Sequence, residues 1–131
     1  NNWRPQPAIR RGAEDRNLLT APDTAWTPLF ATPPHPEDPS GHTMNSSAMA
    51  VIMSNAFGES PGMPISSTIS GINRQWGSFT DGVNEVIDAR VYSGIHFRNS
   101  DEVGADAGTE IANYVWAHAL RPCQGGRRGC S

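Results

Sequence analysis

Proline is distributed very unevenly along this chain, and that distribution limits the fold more than any other feature. Eight of the eleven prolines lie among the first 40 of the 131 residues. A proline inside a helix removes a backbone N–H donor and clashes with the preceding turn. Residues 1–39 are therefore predicted to form an extended loop segment with short turns, which Trp26, Leu29 and Phe30 are expected to anchor to the core.

Three later stretches place apolar residues at helical spacing. They predict helices over about 41–57, 78–92 and 99–120. Ser40 precedes the first helix and Ser100 lies at the start of the third, and serine is a favoured N-cap residue. The apolar face of the third helix is predicted to consist of Val103, Ala107, Ile111, Tyr114 or Val115, and His118.

The other segments complete the prediction of an all-α fold. A short helical turn is expected near Ile65–Ile69, and no stretch shows convincing strand alternation. Gly104 and Gly108 lie four apart on one face of the third helix, which indicates close packing of two helices. The chain is predicted to be a single domain, 1–131, built as a partial helical bundle with a Pro-rich loop segment at 1–39, a helical part at 40–120 and a tail at 121–131.

Composition argues against two classes of function. The formal net charge is -3 and 18% of the residues are charged, so no basic excess points to nucleic acid as a partner. No apolar run approaches the roughly 18 residues of a membrane span.

Cys123 and Cys130 are either free thiols or a disulfide that closes a Gly-rich loop, as would suit a secreted or extracellular protein. Both alternatives remain open.

Pro39, Ser40, Gly41 and His42 stand at the predicted start of the first long helix. A helix N-terminus offers unpaired N–H groups and a partial positive charge, which favour a bound anion. Gly41 lets an anion approach the backbone, and Ser40 adds a hydroxyl donor. His42 can donate or accept a proton near neutral pH. The structural alternative is a capped helix with an incidental histidine.

Arg90 and His96 form a second candidate cluster around the end of the second helix. A turn at Gly94 would bring both side chains to one pocket wall, where the guanidinium donors match the oxygens of an oxyanion. Arg4, which precedes Pro5, is a candidate second guanidinium. The alternative is a helix-terminal arginine and a loop histidine without a shared role.

Together these segments resemble the vanadium-dependent haloperoxidases and the related type 2 phosphatidic acid phosphatases. Arg4-Pro5 is similar to the end of the family's first motif and Pro39–His42 to its second. Arg90, with His96 six residues later, is similar to the third motif. The stretch Thr32–Glu37 also looks like haloperoxidase sequence, so the resemblance favours that branch.

The resemblance implies that these residues hold vanadate. His96 would coordinate vanadium through Nε2. Arg4 and Arg90 would hold the vanadate oxygens, and the Ser40 hydroxyl and Gly41 N–H would complete the oxyanion cradle.

The implied activity is the oxidation of halide by hydrogen peroxide to hypohalous acid. His42 would assist peroxide activation as an acid or base. His35 stands where bromoperoxidases tend to carry histidine, which favours bromide, although a turn residue between two prolines explains it equally well. The second hypothesis is an acid phosphatase, in which phosphate occupies the same cradle and His96 forms a phosphohistidine.

The family pattern also implies parts beyond this sequence. Its first motif begins with a lysine seven residues before Arg4, upstream of Asn1. We therefore expect the chain to be the C-terminal active-site part of a longer protein, with an N-terminal segment or another subunit supplying that lysine. The third hypothesis is an inactive fragment or structural subunit that retains the fold. Asp38 is expected to face solvent.

Overall fold

Three long helices dominate the structure, a computed structural model that describes residues 2–61, 65–69 and 71–119. The predicted tail at 121–131, with Cys123 and Cys130, lies outside the described residues. In chain order the elements are α1 (Pro5–Arg10), a 3-10 turn (Gly12–Asp15), α2 (Gly41–Phe57), β1 (Ile65–Ile69), β2 (Ile72–Trp76), α3 (Phe79–Tyr92) and α4 (Arg98–His118).

The long helices confirm the helical predictions, with one error in capping. α2 has the predicted bounds, and Ser40 is its N-cap residue, although the Ser40 side chain makes no capping hydrogen bond. Ser78 caps α3 by accepting a hydrogen bond from the Asp81 N–H at 3.0 Å. The predicted cap of α4 is wrong, because Phe97 is the N-cap residue and Ser100 lies buried in the first turn.

The segment predicted to be a helical turn is instead a β-strand. β1 pairs antiparallel with β2, so that Ile69 lies opposite Ile72. Ile65, Thr68 and Ile69 are β-branched residues, which favour a strand. Gly71 adopts φ 81° in the connecting turn, a conformation that two-residue hairpin loops require and glycine supplies. Apolar spacing alone does not separate a strand from a helical turn in so short a run.

α2 and α4 approach each other along a stripe of small residues. A Cβ atom added to Gly104 would lie 2.5 Å from the carbonyl oxygen of Ser40, and one added to Gly108 would lie 2.1 Å from that of Met44. Only glycine allows the two backbones to come so close. The predicted close packing at these two glycines is confirmed.

The large apolar side chains of α4 point away from α2, so the predicted apolar face is wrong. Val103, Ile111 and Tyr114 are 42%, 53% and 67% exposed. The two helices lie too close together to hold large side chains between them. The buried positions of α4 are small or polar: Ser100, Asp101, Gly104, Gly108 and Ala112.

The Pro-rich segment is irregular apart from its short helical turns, as predicted, but its expected anchors are largely wrong. Trp26 is half-buried, and its ring lies against Gly94. Leu29 and Phe30 are 78% and 67% exposed. Backbone hydrogen bonding holds the segment instead, since the Leu29 N–H donates to the Ser93 carbonyl at 3.0 Å.

The buried centre of the described structure is polar. Its buried hydrophobic side chains are those of Ile87, Ile95 and Ala112. Removing polar groups from water costs free energy, so a polar centre of this kind points to a functional site. The largest fully buried side chains are His96, Thr43, Asp101, Ser40 and Ser100.

None of the described helices has the length and apolar character needed to cross a membrane.

Candidate active site

His96 lies at the middle of the buried polar cluster and is 2% exposed. Its Nδ1 is 3.1 Å from Glu37 Oε1 and 3.2 Å from Ser100 Oγ. Its Nε2 is 3.0 Å from Arg4 Nη1. Burial lowers the pKa of His96, the hydrogen bond to Glu37 raises it, and the charges of Arg4 and Arg90 lower it. The net lowering favours the neutral imidazole at neutral pH.

Arg4 reaches His96 from the N-cap position of α1, where Pro5 supplies the preset helical φ of the first residue. The Arg4 side chain is buried. Its Nη1 donates to the carbonyl oxygen of Ile95 at 2.8 Å, and its Nη2 donates to that of Pro36 at 2.9 Å. These backbone acceptors fix the guanidinium beside the imidazole.

Arg90, Ser40 and Asp101 contribute buried polar atoms without partners. Among the described residues, Arg90 Nε and Nη2, Ser40 Oγ and both Asp101 carboxylate oxygens are buried with no hydrogen-bond partner. Burial raises the pKa of Asp101, while the nearby Ser40 hydroxyl and Arg90 charge lower it. The Ser40 and Asp101 side chains are thus close but outside hydrogen-bonding geometry. Unsatisfied buried groups are rare in native proteins, and those that persist often serve binding or catalysis.

Gly41, His42 and His35 form the exposed rim of this cluster. A Cβ atom on Gly41 would meet nothing within 4 Å, so the start of α2 is open on that side. Although His42 is exposed at this rim, partial loss of its contact with water lowers its pKa, and the positive charge of Arg90 lowers it further. His35 Nδ1 lies 3.1 Å from Arg4 Nη2.

The two guanidinium groups are close enough to influence each other. Burial lowers the pKa of Arg90, the Asp101 carboxylate raises it, and the charge of Arg4 lowers it. The structure therefore brings Arg4, Arg90 and His96 into one cluster, and Ser40 joins it through Asp101. The Ser40 N–H also donates to the Ser100 carbonyl at 3.0 Å, which ties the start of α2 to the first turn of α4.

Sequence reasoning missed Glu37, Ser100 and Asp101 as members of the cluster. A histidine that binds a metal commonly donates its other N–H to a carboxylate, and that rule could have singled out Glu37 near the second motif. The expectation that Asp38 faces solvent is wrong. Its side chain is half-buried, and one of its carboxylate oxygens is buried without a partner among the described residues.

The donor set suits an anion better than a metal cation. In the described part of the chain, no group of three or more His, Cys, Asp or Glu side chains could hold a metal ion. Guanidinium, imidazole and hydroxyl groups at a helix N-terminus are instead the donors that bind phosphate-like oxyanions.

The chain matches the family model of the VCPO second helical-bundle domain over residues 1–125. Among solved structures it is similar to the first bacterial vanadium-dependent iodoperoxidase, with 29% identity and a TM-score of 0.71 over 87% of this chain and 26% of that chain. It shares its fold with the holo-type and apo-type structures of a bacterial vanadium-dependent chloroperoxidase, each with 20% identity and a TM-score of 0.59 over 69% of this chain and 22% of that chain. The chain thus spans about a quarter of the length of these proteins. No curated protein matches it.

Proposed function

We propose that this chain, which belongs to the vanadium haloperoxidase family, carries the vanadate site at which a haloperoxidase oxidises halide with hydrogen peroxide. The observation that carries the proposal is a set of buried donors without partners among the described residues, Ser40 Oγ and Arg90 Nε and Nη2. Arg90 is close enough to the buried His96 to affect its pKa. An oxyanion at this place would satisfy all three donors.

The residues present fit a tetrahedral oxyanion. Vanadate oxygens carry negative charge, which needs hydrogen-bond donors and positive charge in a poorly solvated site. Arg4 and Arg90 supply the charge, and the N-terminus of α2 supplies a partial positive charge with unpaired N–H groups. The open space beside Gly41 leaves the backbone accessible to an anion.

We assign His96 Nε2 as the vanadium ligand. This nitrogen lies 3.0 Å from Arg4 Nη1, so coordination has to replace the hydrogen bond between them. The Ile95 and Pro36 carbonyls hold the Arg4 side chain independently of His96. Arg4 can therefore keep its charge beside the site and turn a donor towards a vanadate oxygen.

We assign proton transfer to His42. Bound vanadate supplies the Lewis acid that polarises hydrogen peroxide towards attack by halide. The lowered pKa of His42 keeps its imidazole neutral at neutral pH, ready to accept a proton from hydrogen peroxide and to return it later. His35, next to Arg4 at the rim, is the candidate for halide selectivity, with bromide as the first halide to test.

The site needs one further cation, which we propose comes from a segment upstream of Asn1 or from another subunit. Within the described residues, the positive charges of Arg4 and Arg90 face the carboxyl groups of Glu37 and Asp101. Because two carboxyl groups offset the two guanidinium charges, the site retains little net positive charge to attract an anion. A lysine at the position that the family's first motif implies would supply it.

Vanadate binding is the first test of the proposal. Equilibrium dialysis against orthovanadate, with the segment or subunit that supplies the further cation present, should show binding that His96→Ala abolishes. His118→Ala is the matched control, because His118 is an exposed histidine stacked on Tyr114 at the end of α4. Unchanged affinity in the His96 variant would refute the ligand assignment.

Activity assays separate the remaining hypotheses. With orthovanadate, hydrogen peroxide and bromide, iodide or chloride, a haloperoxidase should halogenate an indicator dye. Hydrolysis of a chromogenic phosphomonoester that vanadate inhibits, without halogenation, would instead indicate the phosphatase. Vanadate binding without either reaction would favour a structural subunit that retains the site.

A further inference from the structure

Glu37 connects the proline-rich segment to the residues around His96. Its side chain is 2% exposed. Its Oε1 is 3.1 Å from His96 Nδ1 and accepts the Phe97 N–H at 3.0 Å. Its own carbonyl oxygen accepts the Ser100 hydroxyl at 2.7 Å. One residue thus binds the histidine, the residue after it and the first turn of α4.

The two neighbours of the His96 ring have opposite and fixed hydrogen-bonding roles. A carboxylate can only accept a hydrogen bond, and an arginine guanidinium can only donate. Arg4 Nη1 lies closer to Nε2, at 3.0 Å, than to Nδ1, at 3.4 Å, whereas Nδ1 lies 3.1 Å from Glu37 Oε1. The shorter contacts make Nε2 the acceptor and place the proton on Nδ1. Ser100 Oγ is compatible with this arrangement, because it can accept from Nδ1 while its own proton goes to the Glu37 carbonyl.

We infer that Glu37 is a positioning residue, whose carboxylate fixes His96 in the tautomer that presents the Nε2 electron pair to an electrophile. The vanadium ligation that this pair would serve rests on the proposed function. The tautomer itself is a property of the chain alone. A carboxylate on the far nitrogen also makes the imidazole more basic, and removing such a partner commonly weakens metal binding by about 10–100-fold.

The first test is the tautomer in the vanadate-free chain. The four histidines are labelled with ¹⁵N in the imidazole ring, and long-range ¹H–¹⁵N spectra near neutral pH report which ring nitrogen carries the proton. The His96 signals are assigned by their absence in His96→Ala. We expect the proton on Nδ1. A proton on Nε2 overturns the inference without any variant of Glu37.

The second test uses variants of Glu37. Because Arg4 also requires Nε2 to be the acceptor, the tautomer is compared in Arg4→Met, where Glu37 alone should keep the proton on Nδ1, and in Arg4→Met with Glu37→Ala, where both tautomers should appear. Glu37→Ala alone should weaken orthovanadate binding in equilibrium dialysis by about 10–100-fold. Glu37→Gln should restore the single tautomer and much of the affinity, because its amide oxygen can still accept from Nδ1. Glu59→Gln is the matched control, since the Glu59 carboxylate accepts the Thr80 N–H at 2.9 Å away from any imidazole.

Each result of the variant experiment decides the inference. A single tautomer in the Arg4→Met, Glu37→Ala double variant, wild-type affinity in Glu37→Ala, or no recovery in Glu37→Gln overturns it. If the variants of Glu37 do not fold, the tautomer of Arg4→Met decides alone, and a proton on Nε2 there overturns the inference. Failure of the wild-type protein to bind orthovanadate with the further cation supplied refutes the proposed function, and the tautomer measurement still tests the role of Glu37.

Discussion

Replacing Gly108 with alanine tests the close packing of α2 against α4. The added Cβ would lie 2.1 Å from the carbonyl oxygen, 2.9 Å from the carbonyl carbon and 3.1 Å from the Cα of Met44. Ordinary contact begins at 3.4 Å, so the two helices would have to separate by more than about 1 Å. Backbone atoms cannot rotate out of the way as a flexible side chain can.

The expected cost follows from two opposing effects. Overpacking a core costs about 1–3 kcal/mol, and a rigid backbone neighbour places this site near the upper end. Alanine recovers about 1 kcal/mol over glycine inside a helix. We therefore expect Gly108→Ala to lower the free energy of unfolding by about 2 kcal/mol.

Urea unfolding followed by circular dichroism measures this change. Gly82→Ala is the control, because it makes the same substitution inside α3, where the Cβ would have only an ordinary contact at 3.8 Å with the Trp76 ring. It should raise stability by about 0.5–1 kcal/mol. A Gly108→Ala protein as stable as wild type would refute the packing argument.

Three further substitutions address the site. His42→Ala should keep orthovanadate binding and lower turnover by about 100-fold or more. Because the folded pKa of His42 lies below its ordinary 6.5, wild-type turnover should fall only when the pH is lowered below that value. A loss of turnover that already begins above pH 6.5 as the pH is lowered contradicts the assignment. Asp101→Asn should become more stable relative to wild type as the pH rises. The raised pKa of Asp101 means that its contribution is fully present below its ordinary 3.8 and is lost as the pH rises through the folded value, so the free energy of unfolding of wild type minus that of the variant should fall between about pH 3 and about pH 7 in urea unfolding. A difference that stays constant over this range contradicts the burial of Asp101. Ser40→Ala should weaken orthovanadate binding with little loss of stability, since Ser40 Oγ has no hydrogen-bond partner among the described residues; a large drop in the free energy of unfolding would show a structural role instead.

Much of the fold can be predicted from the sequence because its signals are local. The bounds of α2 follow from a serine N-cap after Pro39 and from regular apolar spacing. The hairpin is missed because the short run Ile65–Ile69 carries β-branched residues but little periodicity. The orientation of α4 is missed for a different reason. Its buried stripe depends on how closely α2 approaches Gly104 and Gly108, and large side chains such as Ile111 are turned outwards as a result.

The family resemblance drawn from the motifs is confirmed by the family match, and the motif residues were all identifiable from the sequence. Their partners were not. The contact of Glu37 with His96 joins residues 59 positions apart, and that of Arg4 with His96 joins residues 92 positions apart. No local pattern encodes such pairs. Burial of Asp101 was equally invisible, because an acidic residue in the first turn of a helix is normally a favourable partner of the helix dipole.

The hydrogen bonds that hold Arg4 in place have a consequence for folding. Its hydrogen bond to the Ile95 carbonyl spans 91 positions, and contacts between such distant residues close large loops and form slowly. The Leu29 and Phe30 side chains of the Pro-rich segment are also exposed, so local unfolding would release that segment before it separates the closely packed helices. An oxyanion that binds only when Arg4 lies beside His96 would stabilise that arrangement and so keep the Pro-rich segment in contact with the helices.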